Sequence, residues 1–95
     1  MDRYWVYILA NKKDGVLYTG VTSNLAARVF QHRSGEGSRF AKKYHALRLV
    51  YAASFGDVNE ALAAEKRLKK WRRVWKVELI ERDNPDWRDL MEDRG

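Results

Sequence analysis

The sequence predicts an α+β fold, because strand patterns near the N-terminus are followed by helical patterns and by a third strand pattern. Residues 3–9 are rich in aromatic and β-branched side chains and are too short for a helix, and residues 16–21 have the same character. A polar segment that ends in Asp14-Gly15, a common turn signal, separates the two strands. The two strands therefore predict a β-hairpin, and residues 47–55 predict the third strand.

The first helix is predicted to follow the hairpin directly. A Thr-Ser-Asn run at residues 22–24 offers N-cap side chains, and the helical pattern continues to about Ser34. On a helical wheel, the buried stripe is predicted to comprise Leu25, Ala26 and Val29.

The remaining segments predict a loop, two helices that follow the third strand, and a short last helix. Residues 35–46 predict a basic loop that contains glycine. A long helix is predicted over residues 58–73 and a further helical stretch over residues 74–82. After an Asn-Pro break, residues 85–92 predict the short last helix. The apolar face of the long helix is predicted to comprise Val58, Ala61, Leu62, Leu68 and Trp71.

The composition limits the classes of protein and of site. The chain has 95 residues and no cysteine, which favours a single domain over residues 1–95 and excludes disulfides, thiolate zinc sites and cysteine nucleophiles. Only two histidines are present, so a histidine-rich metal site is not expected. The sequence lacks an apolar signal core and any apolar run of the ~20 residues that a membrane span needs, so we expect no membrane partner and a cytoplasmic location.

The charge of the chain favours a polyanionic partner. Lysine and arginine number 19 against 13 aspartate and glutamate residues, which gives a net charge of +6. The positive excess lies within residues 1–80, whereas residues 81–95 form an acidic tail. A basic body attracts nucleic acid through phosphate neutralisation and counterion release. The alternative is a small protein that is merely basic.

Glu65 is the residue that local rules explain least well. It lies three residues after Leu62 and three before Leu68, so a carboxylate is centred on the face that is predicted to be buried. A buried carboxylate is normally paired or bound to a cation. One interpretation is an ion pair with Lys69, one turn further on. The other is a ligand for Mg²⁺, which often takes one or two protein carboxylates and keeps its waters.

Two further pairs of side chains are candidates for chemistry. Arg28 and His32 lie four residues apart on the first helix, where a guanidinium suits a phosphate and an imidazole can exchange a proton near neutral pH. The alternative is a solvated helix face. Tyr7 and Tyr18 lie on the two hairpin strands, and Gly20 allows another group to come close beside a phenol. The alternative is an ordinary pair of core aromatics.

Two basic segments are candidate nucleic-acid contacts. Over residues 39–44 cations alternate with Phe40 and Tyr44, a composition typical of nucleic-acid binding. The long helix has a basic side, and either segment could instead be exposed to solvent without a contact role. The candidate contact residues are Arg39, Lys42 and Lys43 in the loop and Lys66, Lys69 and Lys70 on the helix.

Together these residues resemble the GIY-YIG nuclease family, over about residues 4–90. The matching positions are Val6-Tyr7-Ile8 for the first triplet, Tyr18-Thr19-Gly20 for the second, Arg28 for the arginine, His32 for a position that holds His or Tyr, and Glu65 for the metal-binding glutamate. The resemblance implies a small three-stranded antiparallel sheet flanked by helices, in the order β-β-α-β-α-α. It also implies a motif core over about residues 4–80.

The resemblance also implies a function. A GIY-YIG nuclease hydrolyses phosphodiester bonds in nucleic acid with one divalent cation, here Mg²⁺ or Mn²⁺, and we expect DNA as the partner. Glu65 would hold the cation, Arg28 would clamp the scissile phosphate, and Tyr18 would position or deprotonate the attacking water. Tyr7 would orient that water, and His32 would help to remove the proton. We therefore expect the five side chains to converge on one concave, basic surface.

The sequence departs from the family's pattern at three positions. Val6 replaces the leading glycine of the first triplet, Val21 stands where several relatives carry a lysine, and Val77 stands where many carry an asparagine. These departures shift the role in proton transfer from a lysine towards His32. The alternative functions are a nucleic-acid-binding module on the same fold with little or no catalysis, and a protein-interaction module.

Overall fold

The computed structural model describes residues 3–91, which form three strands and four helices. In chain order they are β1 (Tyr4–Ala10), β2 (Leu17–Thr22), α1 (Leu25–Arg33), α2 (Arg39–Tyr44), β3 (Arg48–Phe55), α3 (Val58–Lys70) and α4 (Arg73–Asp83). The strands form one antiparallel sheet in the order β2-β1-β3. The prediction of an α+β fold with a small three-stranded antiparallel sheet flanked by helices is confirmed.

β1 is the central strand, and its alternating side chains divide the core between two faces of the sheet. Tyr7 and Leu9 point to the side covered by α1 and α2, which we name the α1 face. Val6 and Ile8 point to the side covered by α3 and α4, which we name the α3 face. Opposed residues of antiparallel strands share a face, so Tyr18, which pairs with Leu9, lies on the α1 face.

α1 places a histidine in the core. The helix begins after Asn24, whose side chain accepts a hydrogen bond from a backbone N–H of the first turn. Its buried side chains are those of Leu25, Val29 and His32. Ala26 is exposed, so the predicted stripe is wrong at that position, and His32 takes its place in the buried face.

The prediction of a loop over residues 35–46 is wrong for α2. The hydroxyl of Ser38 caps this short helix by accepting a hydrogen bond from the N–H of Phe40 at 3.1 Å. His45, in the left-handed conformation with φ 55°, ends it. Ala41 is the buried residue of α2, so the segment has too few apolar positions to produce a helical pattern.

α3 is shorter than predicted and is rotated about its axis. It ends at Lys70, because Trp71 and Arg72 are extended and separate it from α4. Its buried residues are Ala61, Ala64 and Leu68. Val58 and Leu62 are exposed, so their assignment to the buried face is wrong: the side of α3 that carries Ala61, Ala64 and Leu68 packs on the sheet instead.

The segment after α4 is folded but not helical, so the predicted last helix is wrong for residues 85–91; residue 92 lies outside the described residues. The side-chain amide of Asn84 donates to the carbonyl oxygen of Val50 at 3.2 Å, which ties the segment to β3. Trp87 has a φ of 57° and a fully buried side chain, and its indole N–H donates to Glu81 at 2.7 Å. These contacts replace helical hydrogen bonds.

Among the described residues, no helix has the length and the apolar content needed to cross a bilayer. The single domain over residues 1–95 stays a prediction.

Candidate active site

Tyr7, Arg28 and His32 form a hydrogen-bonded cluster on the α1 face. Tyr7 Oη lies 3.1 Å from His32 Nε2, and Arg28 Nε donates to the same oxygen at 3.4 Å. Tyr7 and His32 are buried, whereas Arg28 is half-buried. Arg28 Nη1 also donates to the side-chain oxygen of Gln31 at 3.2 Å. The phenol of Tyr7 thus joins β1 to α1 and fixes one edge of the guanidinium.

Tyr18 and Phe40 extend this cluster towards solvent. The ring centroid of Tyr18 lies 5.2 Å from that of His32 and 6.3 Å from that of Tyr7. Phe40, on α2, stacks on Tyr18 at 6.3 Å with an interplanar angle of 29°, and Tyr44 packs on Phe40 at 4.9 Å. Tyr18 is half-buried, and the other two rings are exposed. The cluster therefore runs from a buried polar centre to an aromatic surface on α2.

Two glycines make room for the buried rings. A Cβ atom at Gly20 would lie 2.4 Å from Tyr7 Oη, and one at Gly37 would lie 2.3 Å from His32 Nδ1. Both distances are far below van der Waals contact, so a side chain at either position would displace the ring. The sequence predicted that another group approaches the backbone at Gly20, and that group is the phenol of Tyr7, the partner of Gly20 in the β1–β2 register.

The surroundings of His32 favour its neutral form. Burial, and secondarily the positive charge of Arg28, lowers the pKa of the imidazole. His32 Nδ1 is buried and has no hydrogen-bond partner among the described residues. An unpaired buried N–H is rarer and costlier than an unpaired lone pair, so we infer that the hydrogen is on Nε2 and is donated to Tyr7. The imidazole then acts as a fixed donor to the phenol oxygen.

The hydrogen bond that Arg28 donates to Tyr7 affects the pKa of both groups. Burial raises the pKa of the Tyr7 phenol, and the hydrogen bond from Arg28 opposes this effect only in part. The same hydrogen bond raises the pKa of Arg28. At neutral pH Tyr7 is therefore a neutral phenol and Arg28 is a cation.

Glu65 lies outside the contacts that join the other four predicted site residues. Its helix, α3, packs on the α3 face, where Ala64 and Leu68 contact Val6. The Glu65 carboxylate lies 3.0 Å from Lys69 Nζ, and its side chain is 14% exposed. The ion pair that the sequence allowed is therefore present.

The orientation of α3 places Glu65 on the opposite side of this helix from β3. Arg67 lines a cavity together with Ala53 and Phe55 of β3, so this side of α3 faces β3. Glu65 is two residues away and therefore about 200° around the helix from Arg67. We infer that it lies on the side of α3 nearer to β2, the edge strand that carries Tyr18. Convergence of Glu65 with the other four side chains around this edge stays a prediction.

The six predicted nucleic-acid contacts lie on two helices that cover opposite faces of the sheet. Lys43 Nζ lies 5.4 Å from the ring centroid of Tyr44, so cations and aromatic rings are interleaved on α2. The contact role of each residue stays a prediction. The exposed residues concerned are Arg39, Lys42 and Lys43 on α2 and Lys66, Lys69 and Lys70 on α3.

Gly37 and the stacking of Phe40 on Tyr18 were not predicted from the sequence. The Gly-Glu-Gly run at residues 35–37 was a signal for a close approach of the backbone to another group. The group that Gly37 approaches is His32, and this contact depends on the tertiary fold and not on the local sequence.

The described residues offer few side-chain ligands for a divalent cation. Within residues 3–91, histidine, cysteine and carboxylate side chains do not gather in threes at any point that suits a metal ion. Glu65 offers a single carboxylate, with one oxygen held by Lys69. That donor set fits Mg²⁺, which accepts one protein carboxylate and completes its shell with water and phosphate oxygens. It does not fit a structural zinc site.

Comparisons with known proteins show which family the chain resembles. The GIY-YIG catalytic domain matches residues 3–78. A UPF0213 protein of Staphylococcus saprophyticus is 36% identical over 80 residues, which cover 84% of this chain and 96% of the relative. A UPF0213 protein of Staphylococcus aureus is 38% identical over the same length and coverage. The solution NMR structure of a UPF0213 protein from Bacillus halodurans matches with a TM-score of 0.57 and 31% identity over 93% of each chain. The chain therefore belongs to the GIY-YIG family, with small bacterial UPF0213 proteins among its relatives.

Proposed function

We propose that the protein is a divalent-metal-dependent endonuclease that hydrolyses phosphodiester bonds, with DNA as its substrate. One observation carries the proposal: the guanidinium of Arg28 is fixed by the buried Tyr7–His32 pair, and the half-buried ring of Tyr18 packs against the same pair. Arg28, which would bind the phosphate, and Tyr18, which would bind the attacking water, are thus held close together by α1 and β2. Membership of a family of nucleases supports the proposal.

Arg28 would bind the scissile phosphate. Its hydrogen bonds to Tyr7 and Gln31 restrict the rotation of the guanidinium before the substrate arrives. Arginine stays protonated in proteins, and its planar donors match phosphate oxygens. It would therefore stabilise the charge that develops on the phosphate as water adds to the phosphorus atom and the leaving oxygen departs.

The two tyrosines would have different roles. Tyr18 is half-buried and can reach the substrate, so it would accept a hydrogen bond from the attacking water and orient it. Tyr7 is buried, and its raised pKa keeps the phenol protonated at neutral pH, so almost no phenolate is present to act as a base. Tyr7 is therefore a positioning residue for Arg28. His32 in turn positions Tyr7 through the 3.1 Å hydrogen bond.

Glu65 would hold the cation, Mg²⁺ or Mn²⁺. When bound, such a cation polarises the phosphate and neutralises charge on the leaving oxygen. Lys69 contacts Oε2 of Glu65, so Oε1 would be the oxygen that takes the cation.

A second candidate function is nucleic-acid binding without catalysis. The observation that favours it is the ion pair between Glu65 and Lys69, which satisfies the carboxylate without a metal ion. A binding module would still use the basic surface and the exposed aromatic rings of α2.

Incubation of the full chain with labelled nucleic acids separates the two functions. Single-stranded, duplex and branched DNA and the corresponding RNA are tested with Mg²⁺, with Mn²⁺ and with EDTA. We expect cleavage of at least one DNA substrate with a divalent cation and none with EDTA. Binding of these substrates without cleavage under every condition would favour the binding module.

A further inference from the structure

A groove crosses the open edge of β2 beside Tyr18. Its walls come from both faces of the sheet, and its volume of about 440 Å³ lies in the range of small-ligand sites. Phe40 lines the groove and also stacks on Tyr18, so the groove adjoins the proposed active site. The lining residues are Val16, Leu17, Phe40, Trp71, Arg73 and Lys76.

The groove is positively charged. Arg73 and Lys76 line it, and none of the described lining residues is acidic. Arg73 Nη2 donates to the carbonyl oxygens of Asp14 and Gly15 at 2.8 and 2.6 Å, which fixes the guanidinium against the β1–β2 turn. Burial, and secondarily the charge of Arg73, lowers the pKa of Lys76. Two neighbouring cations, with no carboxylate among the described lining residues, make this groove complementary to an anion.

The groove also contains aromatic rings that solvent can reach. Phe40 is 43% exposed, and Trp71 is half-buried. Aromatic rings within a positively charged groove are typical of single-stranded nucleic-acid sites, because every base has a face that stacks on them. A duplex keeps its bases stacked on one another and cannot offer one to the groove without unpairing it.

We propose that the groove binds one unpaired nucleotide of a single-stranded segment, with its base against Phe40 and Trp71 and its phosphate near Arg73 and Lys76. This inference rests on the proposed function and specifies the substrate: a strand that is single-stranded next to the phosphate held by Arg28.

Binding without metal tests the groove separately from catalysis. The fluorescence anisotropy of a labelled 12-nucleotide single strand, and of the same sequence as a duplex, is measured in EDTA with the full chain. Phe40→Leu should weaken single-strand binding about 5- to 150-fold, as expected for the loss of one stacking ring. Duplex affinity should change by less than about threefold.

Phe30→Leu is the matched control, because Phe30 is the more exposed ring and lies on α1, outside the groove. It should leave single-strand affinity unchanged. Equal effects of the two variants, an equal loss of duplex affinity in Phe40→Leu, or no single-strand binding by the wild type would each overturn the proposal.

A second variant removes the cation. Lys76→Gln should lower the slope of log affinity against log salt concentration for the single strand by about 0.7, the contribution of one phosphate contact. An unchanged slope would overturn the phosphate site.

Cleavage of the same oligonucleotide with Mg²⁺ keeps the two proposals distinguishable. Cleavage by the wild type combined with normal single-strand binding by Phe40→Leu would overturn the groove alone. A loss of binding in Phe40→Leu without any cleavage by the wild type would support the groove and contradict the nuclease.

Discussion

Gly20 determines how closely β2 can approach the ring of Tyr7. Gly20→Ala would place a methyl group 2.4 Å from Tyr7 Oη, and we expect it to destabilise the fold by about 1–3 kcal/mol, the usual effect of overpacking. Urea unfolding measures this loss. Gly56→Ala is the control, since among the described residues no atom beyond its two chain neighbours lies within 4 Å of its Cβ position. An equal effect at the two positions would contradict the assigned packing.

The lowered pKa of His32 predicts that the stability of the fold depends on pH. The pKa of this imidazole is lowered in the folded protein, so between that value and the ordinary 6.5 the unfolded chain binds more protons than the folded one. Stability is therefore complete above about pH 6.5 and falls as the pH decreases through the lowered pKa. Urea midpoints at about pH 7.5 and 5.5 report the difference.

His32→Asn should flatten this pH dependence although it lowers stability overall. His45→Asn should preserve the dependence, because His45 is exposed and asparagine tolerates its left-handed conformation. A pH dependence that disappears only in His45→Asn would contradict the role of His32.

Glu65 separates an enzyme from a binding module. Glu65→Gln preserves the shape of the side chain and removes its charge, so we expect the cleavage rate to fall by roughly 100-fold or more. Loss of the ion pair with Lys69 should change stability by only about 0.3–0.5 kcal/mol. Rates are measured on whichever substrate the wild type cleaves.

Glu60→Gln is the matched control on the same helix, because Glu60 is exposed in the first turn of α3. Its cleavage rate should equal that of the wild type. Full activity in Glu65→Gln would exclude the carboxylate as the metal ligand.

Single residues were predictable where their chemistry conflicts with their local pattern. Glu65 was noticed as a carboxylate on an apolar face, and the tyrosines and Arg28 through their order along the chain. The burial of His32 was not predictable, because a histidine beside Val29 gives no apolar signal of its own. Its place depends on Tyr7 and Gly37, which lie on other segments.

At the scale of elements, the sequence predicted those that bury a clear apolar face. The strands and α1 have such faces, and their observed bounds lie within a few residues of the predicted ones. α2 was missed because its helical pattern has one buried position, Ala41. The helical spacing of Trp87 and Leu90 favours a helix after Asn84, whereas the side-chain hydrogen bonds of Asn84 hold this segment in an irregular conformation.

α2 depends on its cap more than a longer helix would. Ser38→Ala removes the hydroxyl that accepts from the N–H of Phe40, and we expect a loss of about 0.5–2 kcal/mol in urea unfolding. Ser38→Asp should retain stability, since aspartate is an equally good cap. Equal losses in both variants would show that the cap contributes little.

At the scale of the whole molecule, the basic residues predict binding that weakens steeply with salt. Replacing Arg39, Lys42 and Lys43 together by glutamine should lower the slope of log affinity against log salt concentration by about 2 for a single strand. Anisotropy titrations from about 50 to 200 mM salt measure the slope. Replacing Arg3 and Arg82, which lie outside the predicted contacts, should have a smaller effect. An affinity that is flat over this range would contradict electrostatic binding.

β1 is the first strand to be synthesised and is also the middle strand of the sheet. The ribosome therefore makes β1 well before its neighbour β3. The β1–β2 hairpin can close early, but the other edge of β1 has to wait for β3, which begins at Arg48. At translation rates of roughly 5–20 residues per second, the segment between Ala10 and Arg48 takes about 2–8 s to make. Val6 and Ile8 lack their covering helices until α3 and α4 have also been made, and until β3 is present one edge of β1 has unpaired backbone groups that another strand could bind.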